Sequence, residues 1–555
     1  MLGTAGVGAL NGLWLAAQRR GHRAFRAALS RPAETQAALL RALLARHADS
    51  AYGRRWGFAR LRTPREYQDA VPIVGWDDVA PWVERIKHGA RDVLTTEPVL
   101  SFETTGGSGG GAKYVPYTAG LLAEFQRALA PWMVDLYGHR PALRRGRAYW
   151  SVSPLARAPE VTPGGIPVGF DDDTRYFGRL ERWVVQRLLA TPTELGRVDD
   201  VTTCRYITLR WLLAADDLAL ISVWNPSFLT LLLEPLERWG PALVEDVARG
   251  TLTPPVALPA ALAARLERRL RPAPRRARAL GRLLSAHGRL RPAEVWPRLA
   301  LISCWTSAAA ARLLPPLAAA FPGVEIQGKG LLATEGVVSI PLTGHAGGAV
   351  AVTSHFYEFA PVGAPAERPC LVHELDTGGE YTVILTTGGG LYRYALGDRV
   401  RVVGRAAATP LVEFVGRTGL VSDLAGEKLA EAQVARVLEA ATAEAGVAAG
   451  FLLLAPESGP PPHYALFVEA PAAGDAALAQ LAGAVERRLG ESPSYAYCRR
   501  LGQLDAVRAV RVGRGASEAY LGRCRALGQA VGDVKPAVLH RTPGWSEHLV
   551  EAATP

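Results

Sequence analysis

The spacing of apolar residues changes along the chain and separates a helical part from a part rich in strands. Up to about residue 95, and again from about 120 to 320, apolar positions recur at helical spacing, as in residues 35–48. From Ala349 onward the runs AVAVTSHFYEF, EYTVILTT, LYRYAL, RVRVVG and LVEFV are period-2 or β-branched, and Gly, Pro and Asp separate them. That punctuation predicts a sheet. Shorter strand candidates are Val99–Glu103, Leu218–Trp224 and Leu299–Cys304.

The last ~130 residues have a pattern of their own. A helix is predicted over 426–446 and ends at Gly446, followed by the apolar runs FLLLA and YALFVEA and the helical segment DAALAQLAGAVERRLG. This alternation predicts a small α+β domain. The 555 residues are too many for one small core, so the whole pattern predicts an α/β protein of two or three domains.

Composition narrows the class of protein. A content of 49% hydrophobic and 21% charged residues is typical of a globular chain. The five cysteines lie far apart without a C-x-x-C pair, so neither a zinc site nor a disulfide framework is indicated. The first twenty residues are apolar but lack preceding basic residues and are too short to span a bilayer, which favours a first helix and a cytoplasmic protein without a membrane partner.

A net charge of +11 invites the hypothesis of a nucleic-acid partner. Arginine is densest from Leu266 to Leu284, where apolar residues recur at helical spacing on both sides of Pro272 and Pro274. The segment predicts a surface helical hairpin with a basic, solvated face. No zinc-finger, RNP-like or basic-zipper pattern supports a nucleic-acid groove, and an anionic substrate fits the charge equally well. We therefore expect no nucleic-acid partner.

Lysine is rare in this chain, with five residues against 58 arginines. Three of the five fall in motif-like segments: Lys113 after a glycine-rich loop, Lys428 in GEKLAE and Lys535 in GDVKP. A compact ammonium fits against a phosphate or a developing oxyanion as a point charge, whereas guanidinium requires a flat, two-pronged partner. These three are candidates for chemistry. For Lys87 and Lys329 we expect solvated surface positions.

The glycine-rich loop TTGGSGGGAK, residues 104–113, suits phosphate binding. Glycine allows several backbone N–H groups to converge on one anion, and hydroxyls and Lys113 add donors and charge. The loop fails the Walker A pattern, because Ala112 precedes the lysine and Tyr114 follows it. It matches the dinucleotide fingerprint weakly, and Pro116 blocks the helix that should follow at once. It formally fits the G-x-S-x-G nucleophile elbow around Ser108, but helical pattern resumes only at Thr118, which caps the next helix.

Several segments in order resemble the Gretchen Hagen auxin-responsive family of acyl acid-amido synthetases, within the adenylate-forming superfamily. They are TTGGSGGGAKYVPYT, the Thr334-Glu335-Gly336 triplet, LYRYALGD with the preceding HFYEF, FVGRTGLVSDLAGEKLAE and LGQAVGDVKP. The resemblance extends from the Tyr52-Gly53-Arg54 region to Lys535. The chain departs from the family pattern at Leu331 and Leu332, where an aromatic often flanks adenine, and at Gly107, which removes a hydroxyl.

The resemblance implies a large adenylation domain, residues 1–418, and a small mobile C-terminal domain, residues 419–555. It implies ATP and Mg²⁺ as cofactors, with Glu335 as the metal ligand and Asp398 and Arg417 near the ribose. The implied nucleotide-binding residues are Thr104, Thr105, Gly106, Gly107, Ser108, Thr334, Glu335, Asp398 and Arg417. Lys535 would meet the α-phosphate, Lys428 another phosphate, and Lys113 the β- and γ-phosphates. Trp224, Phe228 and Trp305 are candidates for contacts with the acid.

The implied reaction has two halves. A carboxylic acid and ATP give acyl-AMP and pyrophosphate, and an amine, expected to be an amino acid, then attacks the acyl group. Three alternatives stay open: transfer to a thiol such as coenzyme A or a carrier protein, a serine hydrolase using Ser108, and a non-catalytic basic protein that binds nucleic acid.

Overall fold

The fold is α/β with several sheets and a separate C-terminal domain. The computed structural model describes residues 4–550 except 107–111, 152–159, 170–178, 364–367, 419, 423, 426, 428, 460, 501, 503, 528, 530–533, 535 and 536. Two of the candidate lysines, Lys428 and Lys535, therefore lie outside the described residues, as do Gly107 and Ser108. No helix among the described residues is long and apolar enough to cross a membrane.

Helices dominate the first 150 residues. Thr118 caps the sixth helix as predicted, because its side chain accepts from the Leu121 N–H at 3.1 Å. The predicted strand at Val99–Glu103 is displaced and runs from Ser101 to Gly106. The elements are α1 (Thr4–Ala28), α2 (Pro32–Arg46), α3 (Ala51–Arg55), α4 (Pro64–Ala70), α5 (Trp76–Lys87), β1 (Ser101–Gly106), β2 (Ala112–Tyr117), α6 (Ala119–His139) and β3 (Arg147–Trp150).

A four-stranded parallel sheet in the order β3-β6-β7-β8 organises the next region. Helices pack on it. The second arm of the predicted basic hairpin is present as α12, which packs against α10. The first arm is not, because α11 ends at Glu267 and lies mostly before the predicted segment. The elements are β4 (Glu160–Val161), β5 (Pro167–Val168), α7 (Arg179–Leu188), α8 (Val201–Ala214), β6 (Leu218–Ser222), α9 (Pro226–Leu233), α10 (Leu236–Arg249), α11 (Ala260–Glu267), α12 (Pro274–His287), α13 (Pro292–Val295), β7 (Leu301–Cys304), α14 (Leu314–Ala320) and β8 (Glu325–Gly328). Ligands of such sheets bind beyond the carboxyl ends of the strands.

A seven-stranded antiparallel sheet follows, in the order β11-β12-β17-β16-β15-β13-β14. The runs LYRYAL and RVRVVG, which we predicted separately, contribute to one strand, because Gly397 takes a φ of 80° without ending it. The elements are β9 (Leu332–Ala333), β10 (Gly336–Val337), β11 (Ser339–Pro341), β12 (Gly348–Val350), β13 (Phe356–Pro361), β14 (Cys370–Leu371), β15 (Glu380–Thr386), β16 (Tyr394–Ala406), β17 (Thr409–Arg417), β18 (Val421–Ser422) and β19 (Leu429–Ala430).

The C-terminal region is built on a three-stranded sheet with its own apolar core. The predicted helix over 426–446 begins later, at Glu431, because Leu429 and Ala430 pair with the preceding strand. Its end at Gly446 is confirmed by a left-handed φ of 62°. The elements are α15 (Glu431–Ala445), β20 (Phe451–Glu457), β21 (His463–Glu469), α16 (Asp475–Leu489), α17 (Pro493–Arg500), β22 (Arg508–Arg511), α18 (Ala516–Ala526) and α19 (Ser546–Leu549).

Candidate active site

Glu335 lies in a tight connection between two short strands. Ala333 pairs with Gly336 in the antiparallel ladder of β9 and β10, so Thr334 and Glu335 are the two loop residues, which we call the Glu335 turn. Glu335 is buried. The Tyr117 hydroxyl donates to the Thr334 carbonyl at 2.7 Å and ties the turn to the end of β2. The turn therefore lies beside the strand that carries Lys113.

Asp398 and Arg417 lie opposite each other on neighbouring strands. They are register partners on β16 and β17, and Arg417 Nε lies 2.9 Å from Asp398 Oδ1. The Asp398 side chain is fully buried and that of Arg417 is 33% exposed. Asp398 raises the pKa of Arg417, and Glu335 acts in the same direction. Asp398 thus sits inside β16, whereas Gly and Asp were expected to separate two strands at this point.

Lys113 lies near these residues, and we call Lys113, Glu335, Asp398 and Arg417 the charge cluster. Its Nζ donates to the Tyr394 hydroxyl at 3.3 Å. Burial lowers the pKa of Lys113, while Glu335 opposes that shift more than the other nearby carboxylates do. Burial also raises the pKa of Tyr394, with Glu335 adding to the effect. The structure therefore brings three predicted site residues, Lys113, Glu335 and Asp398, within electrostatic reach of one another.

Tyr117 and Tyr394 bond to candidate site residues, and sequence reasoning missed both of them. Tyr394 stands inside the quoted LYRYALGD segment, so that motif was the available signal. Tyr117 stands near the end of the loop segment TTGGSGGGAKYVPYT, and the sequence carried no separate signal for it. Each of the two hydroxyls forms a hydrogen bond between segments that are more than 200 residues apart in the sequence.

The predicted phosphate loop joins β1 and β2, two antiparallel strands. Thr105 pairs with Lys113 and Gly106 with Ala112, and Thr104 is half-buried. The chain therefore enters a strand after the loop, and the next helix begins only at Ala119. A nucleophile elbow and a Walker A loop both need a helix there, so this hairpin context counts against both.

Trp224 and Trp305 follow the carboxyl ends of neighbouring parallel strands. Their ring centroids are 6.0 Å apart, and the backbone N–H of Trp305 donates to the backbone carbonyl of Trp224 at 2.8 Å. Phe228, the third aromatic candidate, packs against the helical core on the parallel sheet. The structure thus pairs the two tryptophans at the sheet edge.

A cavity of about 360 Å³ extends along β8 to the segment that precedes the Glu335 turn. Trp305, Leu331 and Phe414 form part of its wall, together with the residues of β8. Phe414 lies on β17, the strand that ends at Arg417. A volume of this size suits a small organic ligand.

Lys329 also lines the cavity, and our expectation of a solvated position for it was wrong. It is 5% exposed, and its Nζ donates to Ser222 Oγ at 2.6 Å and lies 5.1 Å from the Trp224 ring centroid. Lys87 is half-buried over the Tyr114 ring as well. Both burials come from contacts with other segments, which the local sequence does not encode.

A magnesium ion bound with a nucleotide fits the surroundings of Glu335. Among the described residues no group of three or more His, Cys, Asp or Glu side chains could hold a metal on its own. Mg²⁺ commonly uses one or two carboxylates together with substrate phosphates and water. A single buried carboxylate with Lys113 nearby is consistent with that arrangement.

Comparison with known proteins shows which family and fold the chain shares. The probable indole-3-acetic acid-amido synthetase GH3.12 of Oryza sativa subsp. japonica is 26% identical over 570 residues, covering 91% of this chain and 90% of its own. The jasmonoyl–L-amino acid synthetase JAR6 of Nicotiana attenuata is 24% identical, covering 89% of each chain. The solved structure titled "AtGH3.15 acyl acid amido synthetase in complex with 2,4-DB" aligns with a TM-score of 0.83 at 20% identity, over 97% of this chain and 96% of that one. This likeness shows a shared fold.

Three family models match the chain in sequence order. They are the GH3 family N-terminal domain over residues 21–326, the GH3 family central domain over 348–417 and the GH3 family C-terminal domain over 432–543. Within the charge cluster, Lys113 lies in the first of these segments, Asp398 and Arg417 lie in the second, and Glu335 lies between the two. Since the matches cover far more than half of its length, the chain belongs to the GH3 family.

Proposed function

We propose that this protein is an ATP-dependent acyl acid-amido synthetase. It activates a carboxylic acid as an acyl adenylate with release of pyrophosphate and then joins the acyl group to the amino group of an amino acid. The observation that carries the proposal is the convergence of Lys113, Glu335, Asp398 and Arg417 in a member of the GH3 family. Relatives named as amido synthetases of indole-3-acetic acid and jasmonic acid support the amide product.

Adenylation depends more on screening the negative charges of the carboxylate and the phosphates than on covalent catalysis by the protein. A carboxylate oxygen attacks the α-phosphorus, and the bond to the bridging oxygen of pyrophosphate breaks. Thr104, Thr105, Gly106, Gly107 and Ser108 are the proposed donors to the β- and γ-phosphates. Lys113 adds positive charge at the base of that loop. Fixed donors and cations that stand where negative charge accumulates stabilise the transition state without further reorganisation.

Glu335 is the proposed ligand of Mg²⁺, with Thr334 beside it at the nucleotide. The ion supplies charge neutralisation on the phosphates when it is bound with ATP. The chain's own contribution is a carboxylate that is buried and held in a two-residue turn. The Tyr117 hydroxyl keeps that turn against β2.

The Asp398–Arg417 pair is the proposed ribose site. Asp398 Oδ1 already contacts Arg417 Nε, so the guanidinium orients the carboxylate. Trp224, Phe228 and Trp305 are the proposed contacts of the acid. Of these, Trp305 has the strongest support, because it lines the cavity beside the Glu335 turn.

We also propose that residues 419–555 form a mobile domain that completes the site. Lys535 would then reach the α-phosphate and Lys428 another phosphate only after closure of the domains. The enzyme would work in the cytoplasm, where ATP and free amino acids are available.

One incubation tests the reaction. The protein is mixed with ATP, Mg²⁺, pooled carboxylic acids and pooled amino acids, and AMP, pyrophosphate, ADP and phosphate are measured with mass spectrometry for amides. Acid-dependent AMP and a new amide mass are expected. ADP with phosphate would contradict adenylation.

The acceptor is tested separately. Amino acids, coenzyme A and a carrier protein are each added to the acyl-AMP complex, and amide formation is expected only with amino acids. A thioester instead would assign the thiol-transfer reaction. Labelling of Ser108 by a serine-hydrolase probe, or salt-dependent nucleic-acid binding without ATP turnover, would favour the remaining alternatives.

A further inference from the structure

His355 bridges helix α6 and the strand that leaves the Glu335 turn. It directly precedes β13 and is completely buried. Its Nδ1 lies 2.8 Å from Glu124 Oε2 on α6, and its Nε2 lies 3.1 Å from the backbone nitrogen of Val337 on β10. One imidazole ring therefore connects a buried carboxylate to the main chain two residues beyond Glu335.

The hydrogen bonds define the tautomer of this histidine. The Val337 backbone N–H can only donate, so His355 Nε2 accepts and carries no proton. The proton then resides on Nδ1, which donates to Glu124. Glu124 is itself held, because the Gly388 N–H donates to the same carboxylate oxygen at 2.8 Å. Both the protonation and the orientation of the ring are fixed by its neighbours.

Further contacts fix the same short segment. The Tyr357 hydroxyl donates to the Val337 carbonyl at 2.6 Å, so both polar backbone groups of Val337 are held from the β13 side. The turn also packs directly on the imidazole: a Cβ at Gly336 would lie 2.9 Å from His355 Nε2, so this close approach requires glycine. The Glu335 turn is thus held on one side by Tyr117 and on the other by His355 and Tyr357.

We propose that His355, oriented by Glu124, is a positioning residue that fixes the Glu335 turn so that the carboxylate is preset for Mg²⁺ and ATP. This inference rests on the proposed function, because it takes Glu335 as the ligand of the nucleotide-bound metal. His355 has no contact with substrate in this scheme. It acts through the backbone of Val337 and the packing of Gly336.

The physical reason is the small size of the turn. A two-residue connection between two-residue strands has few contacts of its own, so its orientation depends on what surrounds it. Removing a residue that holds a metal ligand in position through a hydrogen bond typically lowers metal affinity or activity by about 10- to 100-fold. We expect a loss in that range when the Val337 contact is removed.

Two substitutions of His355 separate its two hydrogen bonds. His355→Gln keeps a polar group near the position of Nε2 and can accept from the Val337 N–H, whereas His355→Asn can reach only toward Glu124. His47→Gln is the matched control, because His47 is also completely buried and bonds to Thr96 instead. Tyr357→Phe is a milder second variant that removes only a hydroxyl from the clamp.

The readouts are calorimetric binding of ATP with and without Mg²⁺, the half-saturating Mg²⁺ concentration for pyrophosphate release, and thermal unfolding. His355→Asn is expected to raise the half-saturating Mg²⁺ concentration by about tenfold or more and to weaken Mg²⁺-dependent ATP binding equally. His355→Gln should have a half-saturating Mg²⁺ concentration and an ATP affinity close to those of the parent. Tyr357→Phe should raise the half-saturating Mg²⁺ concentration as well, but by less than His355→Asn. His47→Gln should lower the unfolding temperature while the Mg²⁺ dependence stays that of the parent.

Two results would overturn the proposal. One is unchanged Mg²⁺ dependence in both His355→Asn and Tyr357→Phe. The other is an equal loss in His355→Asn, His355→Gln and His47→Gln that follows only their unfolding temperatures, which would assign a general structural role. Failure of the proposed function is distinguishable, because the parent protein would then bind Mg²⁺ and ATP without forming acid-dependent AMP.

Discussion

Arg393 and Glu358 form a buried ion pair that joins two segments recognised separately in the sequence, HFYEF and LYRYALGD. Arg393 Nη2 lies 2.9 Å from Glu358 Oε1, and the side chains are 5% and 0% exposed. Arg393 also donates to the Gln68 carbonyl at 2.7 Å, which attaches α4 to the same point. Tyr394 comes next in the chain and begins β16, the strand that carries Asp398. The ion pair therefore fixes the start of a strand that supplies the candidate active site.

Removing one partner of this pair should destabilise the fold. Arg393→Met leaves the Glu358 charge buried without its guanidinium, and such losses cost about 3–5 kcal/mol. Urea unfolding measures the change. Arg401→Met on the same strand is the control, because its partner Glu380 is partly exposed and the Arg401 side chain is 44% exposed, so about 0–1 kcal/mol is expected. Equal losses in the free energy of unfolding for the two variants would show that the buried pair contributes no more to stability than the exposed one.

Glu335→Gln should abolish most adenylation while the fold is kept. The neutral amide keeps the size of the side chain but removes the charge that would bind Mg²⁺, so we expect kcat for acid-dependent pyrophosphate release to fall by about 10²-fold or more. Glu237→Gln, an exposed change on α10 away from the cavity, is the control and should keep the parent rate. A Glu335→Gln protein with normal Mg²⁺ dependence would remove Glu335 from the metal site.

Lys113→Met should weaken ATP binding and yet leave the free protein as stable or more stable. Burial lowers the pKa of Lys113, so the unfolded chain holds this proton more tightly than the folded one. The buried charge therefore opposes folding at neutral pH, and its contribution to stability rises as pH increases toward 10.5. ATP affinity should fall about 10- to 100-fold, since a charge-assisted bond to phosphate is lost.

Calorimetry and thermal unfolding over pH 7 to about 10 test this pair of effects. The parent should gain stability relative to Lys113→Met as pH rises through that range. A variant that unfolds more easily at pH 7, with unchanged ATP affinity, would assign Lys113 a structural role through Tyr394.

Trp305→Ala should impair use of the acid more than use of ATP. Trp305 lines the cavity next to the Glu335 turn, and loss of its ring removes apolar contact with a ligand there. We expect KM for the acid to rise by about tenfold or more with little change for ATP, in line with the energy of apolar pocket contacts. Trp183→Ala, a change at an exposed tryptophan, serves as control. A rise in KM for ATP with little change in KM for the acid would assign the cavity to the adenine base.

Lys535→Ala should lose adenylation while it keeps ATP binding. The proposed contacts of ATP in residues 1–418 remain in that variant, and only the cation expected at the α-phosphate is absent. Acid-dependent pyrophosphate release and calorimetric ATP binding measure the two effects. Turnover at the parent rate would show that another group serves the α-phosphate.

Local features of the chain were predictable because they depend on neighbouring residues. Helical spacing and the Thr118 cap define α6, and helical spacing from Pro274 onward defines α12. The glycine-rich segment and the lysine that follows it indicated phosphate chemistry before any fold was known. The boundaries were less predictable: Gly and Asp were expected to separate LYRYAL from RVRVVG, but Gly397 and Asp398 lie within β16, where Asp398 pairs with Arg417 of the neighbouring strand.

The sequence by itself determined the class of fold, the order of the motifs and the residue types available for nucleotide chemistry. Only the tertiary structure decided which of those residues meet: Arg417 with Asp398, Lys113 with Tyr394, and His355 with the Glu335 turn. It also decided that Lys329 is buried against Trp224. The reason is that hydrophobic period and capping act over a few residues, whereas these contacts join positions far apart in the chain and exist only once the sheets have packed.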